Sequence, residues 1–303
     1  MLSPMRDAKA QLSIRFDYRY DSSGFFDAPE RRLVLNAAAN EYAFRFGDSL
    51  TALTPAGTNS WNALVIRPDT GTMELLSDLL VPANTLTIFV SARPLDADKL
   101  GMAEVGGFAS RGSPAWQESV RDRGQFGAPK DDFGPWGGSI AFDSNPATRW
   151  YFDPDPLSLG DLPSNADDFF SVAVHELGHL FGYGTAASWQ LRIDSGFTGR
   201  NSVLTFGGPV PVEISGDHWA DGTMSRVFGT GLLQEAALAP ELPPGSRKFL
   251  TDLDIAGLRD IGWSVVPEPG VVWLMILALV LGWLRSRLNH KPGSEAVCTS
   301  RFK

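Results

Sequence analysis

Residues 172–189 read VAVHELGHLFGYGTAASW, and this stretch limits what the chain can fold into more than any other. Phe170, Val174, Leu177 and Phe181 recur at helical spacing and form an apolar stripe. His175 and His179 stand four residues apart, so on a helix they project together from a neighbouring face. Asp167 and Asp168 suit the positive N-terminal end of that helix, with Ser164 or Asn165 expected to cap it. Gly182 and Gly184 are expected to stop it, because glycine accepts the left-handed conformation of a turning chain. Two imidazoles so placed can bite one zinc ion, and Glu176 between them sits where it can take a proton from water at that ion. His-Glu-x-x-His arises by chance in roughly one chain of this length in a hundred. Here the stripe, the acidic start and the glycine stop all agree with the helix the chemistry needs, which favours a metal site over two surface histidines.

A catalytic zinc ion takes three protein donors and keeps one position open. The chain has four histidines and one cysteine, Cys298 near its end, so neither a thiolate site nor a disulfide framework is available. Besides His175 and His179 there are His218, in SGDHWADGTM, and His290, which lies beyond a long apolar run. His218 is the candidate third ligand. Glu213 and Asp217 compete with it, since a carboxylate third ligand is common at catalytic zinc. A glutamate ligand usually comes from a second helix, and PVPVEISGD does not read as one.

The net charge of −9, with no basic stripe before the C-terminus, argues against a nucleic-acid partner. QLSIRFDYRY alternates, with Leu12, Ile14, Phe16 and Tyr18 on one side, as a half-buried strand does. A helix is expected next, capped by Asp27, with Pro29 in its first turn, Leu35, Ala39, Tyr42 and Phe46 on its apolar face, and Gly47 ending it. ALVIR (63–67) and TLTIFV (85–90) read as strands, the second central. GGSIAFD (137–143) reads as an edge strand opened by two glycines. Beyond residue 184 the chain is rich in Gly, Pro and Ser until Leu250, Leu253, Leu258 and Ile261 mark a closing helix. The expectation is an α/β (α+β) fold over 12–264, with an α/β part at 12–182 and a smaller irregular part at 183–264.

The first residues, 1–11, lack the apolar core of a secretory signal, which taken alone argues for a cytoplasmic protein. At the other end, Pro267-Glu268-Pro269 precedes an apolar run, 271–284, followed by Arg285, Arg287 and Lys291. Fourteen helical residues rise about 21 Å, short of a roughly 30 Å hydrocarbon core, and the basic residues that follow can snorkel. The order resembles the PEP-CTERM sorting signal of Gram-negative bacteria. That resemblance implies a short transmembrane helix in a 265–303 sorting segment, processing by an exosortase-type enzyme, and a cell-envelope or secreted destination. Because exported proteins of that kind carry an N-terminal signal, it also implies a true start upstream of Met1, with 1–11 the remnant of a leader. The chain differs from the usual pattern in continuing through PGSEAVCTSRFK.

HELGHLFGYG with a distant HW resembles the leishmanolysin-like branch of the metzincin metallopeptidases. GPWGGSIAFDSNPATRWYFD and FLTDLDIAGLRDIG are similar to matrixin segments, so the likeness spans roughly 12–264. It implies a metzincin-like zincin: a twisted mixed sheet, an active-site helix, zinc held by His175, His179 and His218, and Glu176 as general base. Where the compact metzincin spacing has its third histidine the chain has Thr185. Leu238 falls where the family's turn methionine is expected, Met224 being the other occupant considered. Ala141 stands in place of a structural-zinc histidine, so no second zinc is expected. Asp143 matches a calcium-ligand position, but Pro146 stands where its acidic partner belongs; Asp143 reads equally as a turn residue, so Ca²⁺ is a secondary expectation. The function implied is a zinc-dependent endopeptidase acting on protein or peptide substrates, with 138–142 pairing to the substrate backbone. The alternative is an inactive envelope or matrix-binding protein on the same fold, which would have no use for Glu176.

Overall fold

Alternating burial builds the first strand, β1 (Ser13–Asp17), where Ile14 and Phe16 turn toward the main core beside buried Leu12. The computed structural model describes residues 12–96, 99–123, 133–158 and 160–266. The expected leader remnant 1–11, the apolar run 271–284, His290 and Cys298 therefore lie outside the described residues. Among the described residues no helix is long and apolar enough to cross a membrane. The described chain is a mixed α/β arrangement with a mixed sheet and six helices.

A 3-10 turn (Phe25–Asp27) leads into α1 (Pro29–Ala43). Pro29 opens the helix as expected, but the N-cap is Ala28 with no side-chain cap, because Asp27 is taken up in the preceding turn. The helix also stops before Gly47, whose N–H donates to the Ser264 carbonyl instead. Next come β2 (Ser60–Ile66), β3 (Met73–Ser77), β4 (Thr85–Arg93), β5 (Gly101–Val105) and β6 (Gly107–Arg111), then α2 (Pro114–Arg121) and β7 (Gly137–Asp143). The four-stranded sheet has the order β1-β4-β7-β5, parallel except for β5, which runs antiparallel to β7. A separate antiparallel sheet has the order β3-β2-β6.

Strand β7 is thus interior, not an edge: all seven residues are buried between β4 and β5, and the edge is β5. The paired glycines mark close approach of neighbouring backbones rather than a solvent-facing rim. A Cβ on Gly137 (φ +147°) would run into the Thr87 carbonyl, and one on Gly138 would meet Glu104 O and, at 2.8 Å, Leu180 Cδ2.

Short strands β8 (Trp150–Tyr151) and β9 (Asp167–Asp168) pair in parallel and lead directly into α3 (Phe169–Leu180). That pairing holds 167–168 extended, so the cap is Asp168 and neither Ser164 nor Asn165; its carboxylate accepts from Ser171 N at 3.1 Å and Ser171 Oγ at 2.6 Å. Beyond α3 come α4 (Ala187–Gln190), α5 (Arg200–Phe206), the hairpin β10 (Met224–Arg226) and β11 (Leu233–Glu235), and α6 (Asp252–Asp260), closed at its start by a Thr251–Asp254 capping box.

Alternation along β4 divides the interior. Leu86, Ile88 and Val90 enter the main core with α1, α3 and α6, while Phe89 enters a second cluster with Trp61, Trp116 and Trp136 beneath the β3-β2-β6 sheet. Helix α3 is tied to its surroundings by Tyr42 Oη donating to Val174 O at 2.6 Å and Trp263 Nε1 donating to Phe181 O at 2.7 Å.

Candidate metal centre

Helix α3 is buried almost all round, which fixes the two imidazoles it carries. His175 Nε2 and His179 Nε2 lie 3.2 Å apart. His218, from the chain between α5 and β10, brings its Nε2 to 3.1 Å from the first and 3.0 Å from the second. Each ring's other nitrogen is engaged: His175 Nδ1 donates to Ala237 O (2.9 Å), His179 Nδ1 to Tyr183 O (3.0 Å), and His218 Nδ1 to Glu213 Oε1 (2.5 Å). Carbonyl and carboxylate oxygens only accept, so Nδ1 carries the proton in every neutral ring. Three Nε2 lone pairs then converge, and no two of them can form a hydrogen bond.

A cation between them would resolve that convergence. Tetrahedral zinc with Zn–N of about 2.0–2.1 Å spaces its donors about 3.3–3.4 Å apart, close to the observed triangle, so the residues fit the ion. Burial, aided by the neighbouring imidazoles, holds the His175 pKa well below the usual histidine range and lowers that of His179 to about 4. Both rings are therefore neutral donors at neutral pH. Among the described residues this is the one group of three potential ligands whose donor atoms all lie within 4.8 Å of one another.

The floor beneath the site comes from residues far away in sequence. Asp254, fully buried on α6, accepts from Ala237 N (2.9 Å), Leu238 N (3.3 Å) and Trp219 Nε1 (3.1 Å), as well as from Thr251. One carboxylate thus fixes the segment whose carbonyl orients His175 and the tryptophan that follows His218. Trp219 is seated among Tyr183, Trp189 and Phe197, with ring centroids 5.0–5.5 Å from its own. Leu238 is buried against Gly178, where a Cβ would strike its side chain; Met224 is exposed at the start of β10. Gly182 and Gly184 adopt φ of +109° and +69° and turn the chain off the helix. Thr185 points its hydroxyl back to His179 O at 2.7 Å.

Glu176 faces a cleft of about 500 Å³ between α3 and β5, lined also by Leu100, Met102, Val172, Pro240 and Leu242. The residue is 6% exposed, and its carboxylate accepts from the Ala103 backbone N–H. Burial lifts its pKa to about 8, against the pull of that N–H and of Lys99. Strand β5 can lie this close only because residue 101 is glycine: a Cβ there would sit 2.6 Å from Glu176 Cγ and Oε1. Sequence reasoning does not find β5, since GMAEV is short, half-exposed and without alternation.

The competing ligands are placed differently from His218. Glu213 contacts the far side of the His218 ring, and Asp217 lines the cleft wall. Asp143 is buried, not a solvated turn residue: its carboxylate accepts from Leu95 N (2.8 Å), Asn145 N (3.1 Å) and Thr148 Oγ1, bracing the turn after β7. Ala141 is buried in β7. Comparison of the chain with protein-family models, with curated proteins and with solved structures returns no match in any of the three.

Proposed function

We propose that the chain is a zinc-dependent endopeptidase of the metzincin kind, with His175, His179 and His218 holding the ion and Glu176 as general base. The observation that carries this reading is the convergence of three unprotonated Nε2 atoms whose Nδ1 partners are all acceptors. Bound there, zinc supplies a Lewis acid that acidifies water and polarises a carbonyl. Glu176 takes the proton from the water that attacks the scissile carbonyl, and its raised basicity in the buried cleft suits that task. It then delivers the proton to the amine nitrogen as the C–N bond breaks. The free edge beside the cleft is β5, so an extended substrate backbone pairs there and not along 138–142. The order of the C-terminal segment supports export to the cell envelope and removal by an exosortase-type enzyme.

The deciding experiment is an unbiased peptide-library digest with purified, zinc-loaded protein and its Glu176→Gln variant, alongside metal analysis. Cleavage by the wild type and none by the variant at equal zinc content is the expected result. Zinc binding with no cleavage by either would favour the inactive matrix-binding reading, and cleavage surviving in the variant would remove Glu176 from the mechanism.

A further inference from the structure

The three histidines are not held alike. His175 and His179 ride on a buried helix, and each ring is finished by a neutral backbone carbonyl. His218 has no helix beneath it, and its ring alone is finished by a carboxylate, Glu213 Oε1 at 2.5 Å. The same oxygen accepts from Ser215 Oγ at 2.5 Å, so the carboxylate is itself held in place. The backbone closes the unit: Val212 bridges Trp219, Glu213 N donates to His218 O (3.2 Å) and Gly216 N to Glu213 O (2.9 Å). Glutamate and histidine thus sit opposite each other across a short closed loop. Trp219, anchored to Asp254, fixes the end of the loop nearer the helix.

We infer that Glu213 is a positioning residue of the metal centre, acting through His218 and not as a ligand. It selects the tautomer that leaves Nε2 free, holds the ring plane against the rotation a loop side chain would otherwise have, and makes the imidazole a stronger donor. Outer partners of this kind change metal affinity by about 10- to 100-fold when removed. The loop 212–219 is therefore a ligand-presenting unit that carries the affinity-setting part of the site, while α3 carries the rigidly held pair. The inference rests on the zinc reading above, and the test separates the two.

The experiment measures zinc affinity of the full chain by competition with a chromogenic chelator, for wild type, Glu213→Ala, Glu213→Gln, Ser215→Ala and His218→Ala. Cobalt(II) absorption of each reports ligand number. Glu213→Ala is expected to bind zinc about 10- to 100-fold more weakly, with the cobalt band intensity of the wild type, and Glu213→Gln and Ser215→Ala to fall between. His218→Ala is expected to lose both affinity and the four-coordinate cobalt spectrum. Affinity of Glu213→Ala and Glu213→Gln within about twofold of wild type overturns the inference and leaves the zinc reading standing. A Glu213→Ala cobalt spectrum like that of His218→Ala, in folded protein, also overturns it, by making Glu213 a ligand. Should Glu213→Ala fail to fold, Glu213→Gln and Ser215→Ala still decide. No zinc binding by the wild type removes the zinc reading itself.

Discussion

Replacing Asp254 by Asn tests whether one buried carboxylate organises both halves of the candidate metal centre. Oδ2 accepts from Thr251 N (2.8 Å), Thr251 Oγ1 (2.7 Å) and Ala237 N (2.9 Å); Oδ1 accepts from Trp219 Nε1 (3.1 Å) and Leu238 N (3.3 Å). Asparagine keeps the volume but turns one acceptor into a donor. With the amide nitrogen on the Oδ2 side, Thr251 N and Ala237 N lose their partner, while the Thr251 hydroxyl can rotate to accept. With it on the other side, Trp219 Nε1 and Leu238 N lose theirs. Either way two buried N–H groups go unpaired, at about 1–3 kcal/mol each, so the substitution costs about 4 kcal/mol. A domain with 5–15 kcal/mol in hand survives that in the cold. Urea unfolding of metal-free protein reads the loss directly, and zinc competition on the folded variant is expected to show weaker binding, because Ala237 O and Trp219 both shift. A destabilisation below about 1 kcal/mol with zinc affinity intact would refute the reasoning.

Gly101→Ala pushes a methyl into Glu176 and is expected to lower kcat on the order of 100-fold at unchanged zinc content, as steady-state kinetics on a cleaved peptide would show. Arg247 bonds Asp153 (2.5 Å) and Asp168 (2.7 Å), both fully buried, so Arg247→Met strands two carboxylates; chemical unfolding is expected to record a loss of about 3–5 kcal/mol, and a loss under 1 kcal/mol would contradict the pairing. Burial lifts the Glu176 pKa to about 8 in the metal-free fold, against 4.5 for a free glutamate side chain. A raised carboxyl pKa means the native state holds the extra proton between those values, so wild-type stability falls as pH rises through that window. Glu176→Gln, free of this penalty, is expected to gain on the wild type by about 1.4 kcal/mol per pH unit from pH 4.5, reaching roughly 5 kcal/mol near pH 8. Unfolding of chelator-treated protein at pH 5, 6.5 and 8 measures it, and a difference that does not change with pH would contradict it.

The histidine-bearing helix α3 is legible because its information is local: stripe, spacing and glycine stop all lie within some twenty residues. The juxtaposition of His218 with His175 and His179 follows from a short histidine inventory. What escapes is set by partners distant in the chain. Asp168, not Ser164 or Asn165, caps α3 because β8 pairs with β9 and postpones the helix start. The glycines of β7 signal an edge in isolation and a tight interior approach once Thr87 and Glu104 are brought against them. Strand β5 carries no periodic signal, since its role is to lie against Glu176 rather than to fill a core. Asp254 looks like any acidic residue near a helix start, and its bonds to Ala237 and Trp219 reach back 17 and 35 positions.

Strand β4 sends Leu86, Ile88 and Val90 one way and Phe89 the other, and so acts as a party wall between two rooms. The histidines, Glu176 and their supports all occupy the first. The second, roofed by β3-β2-β6 and furnished with Trp61, Trp116 and Trp136, meets it across that wall and also beside β5, where Trp136 packs on Gly106, and at β7, where Ser139 Oγ donates to Ile66 O. The outer storey can therefore be redecorated by evolution or by design only away from those seams, with Trp136 and the wall itself kept.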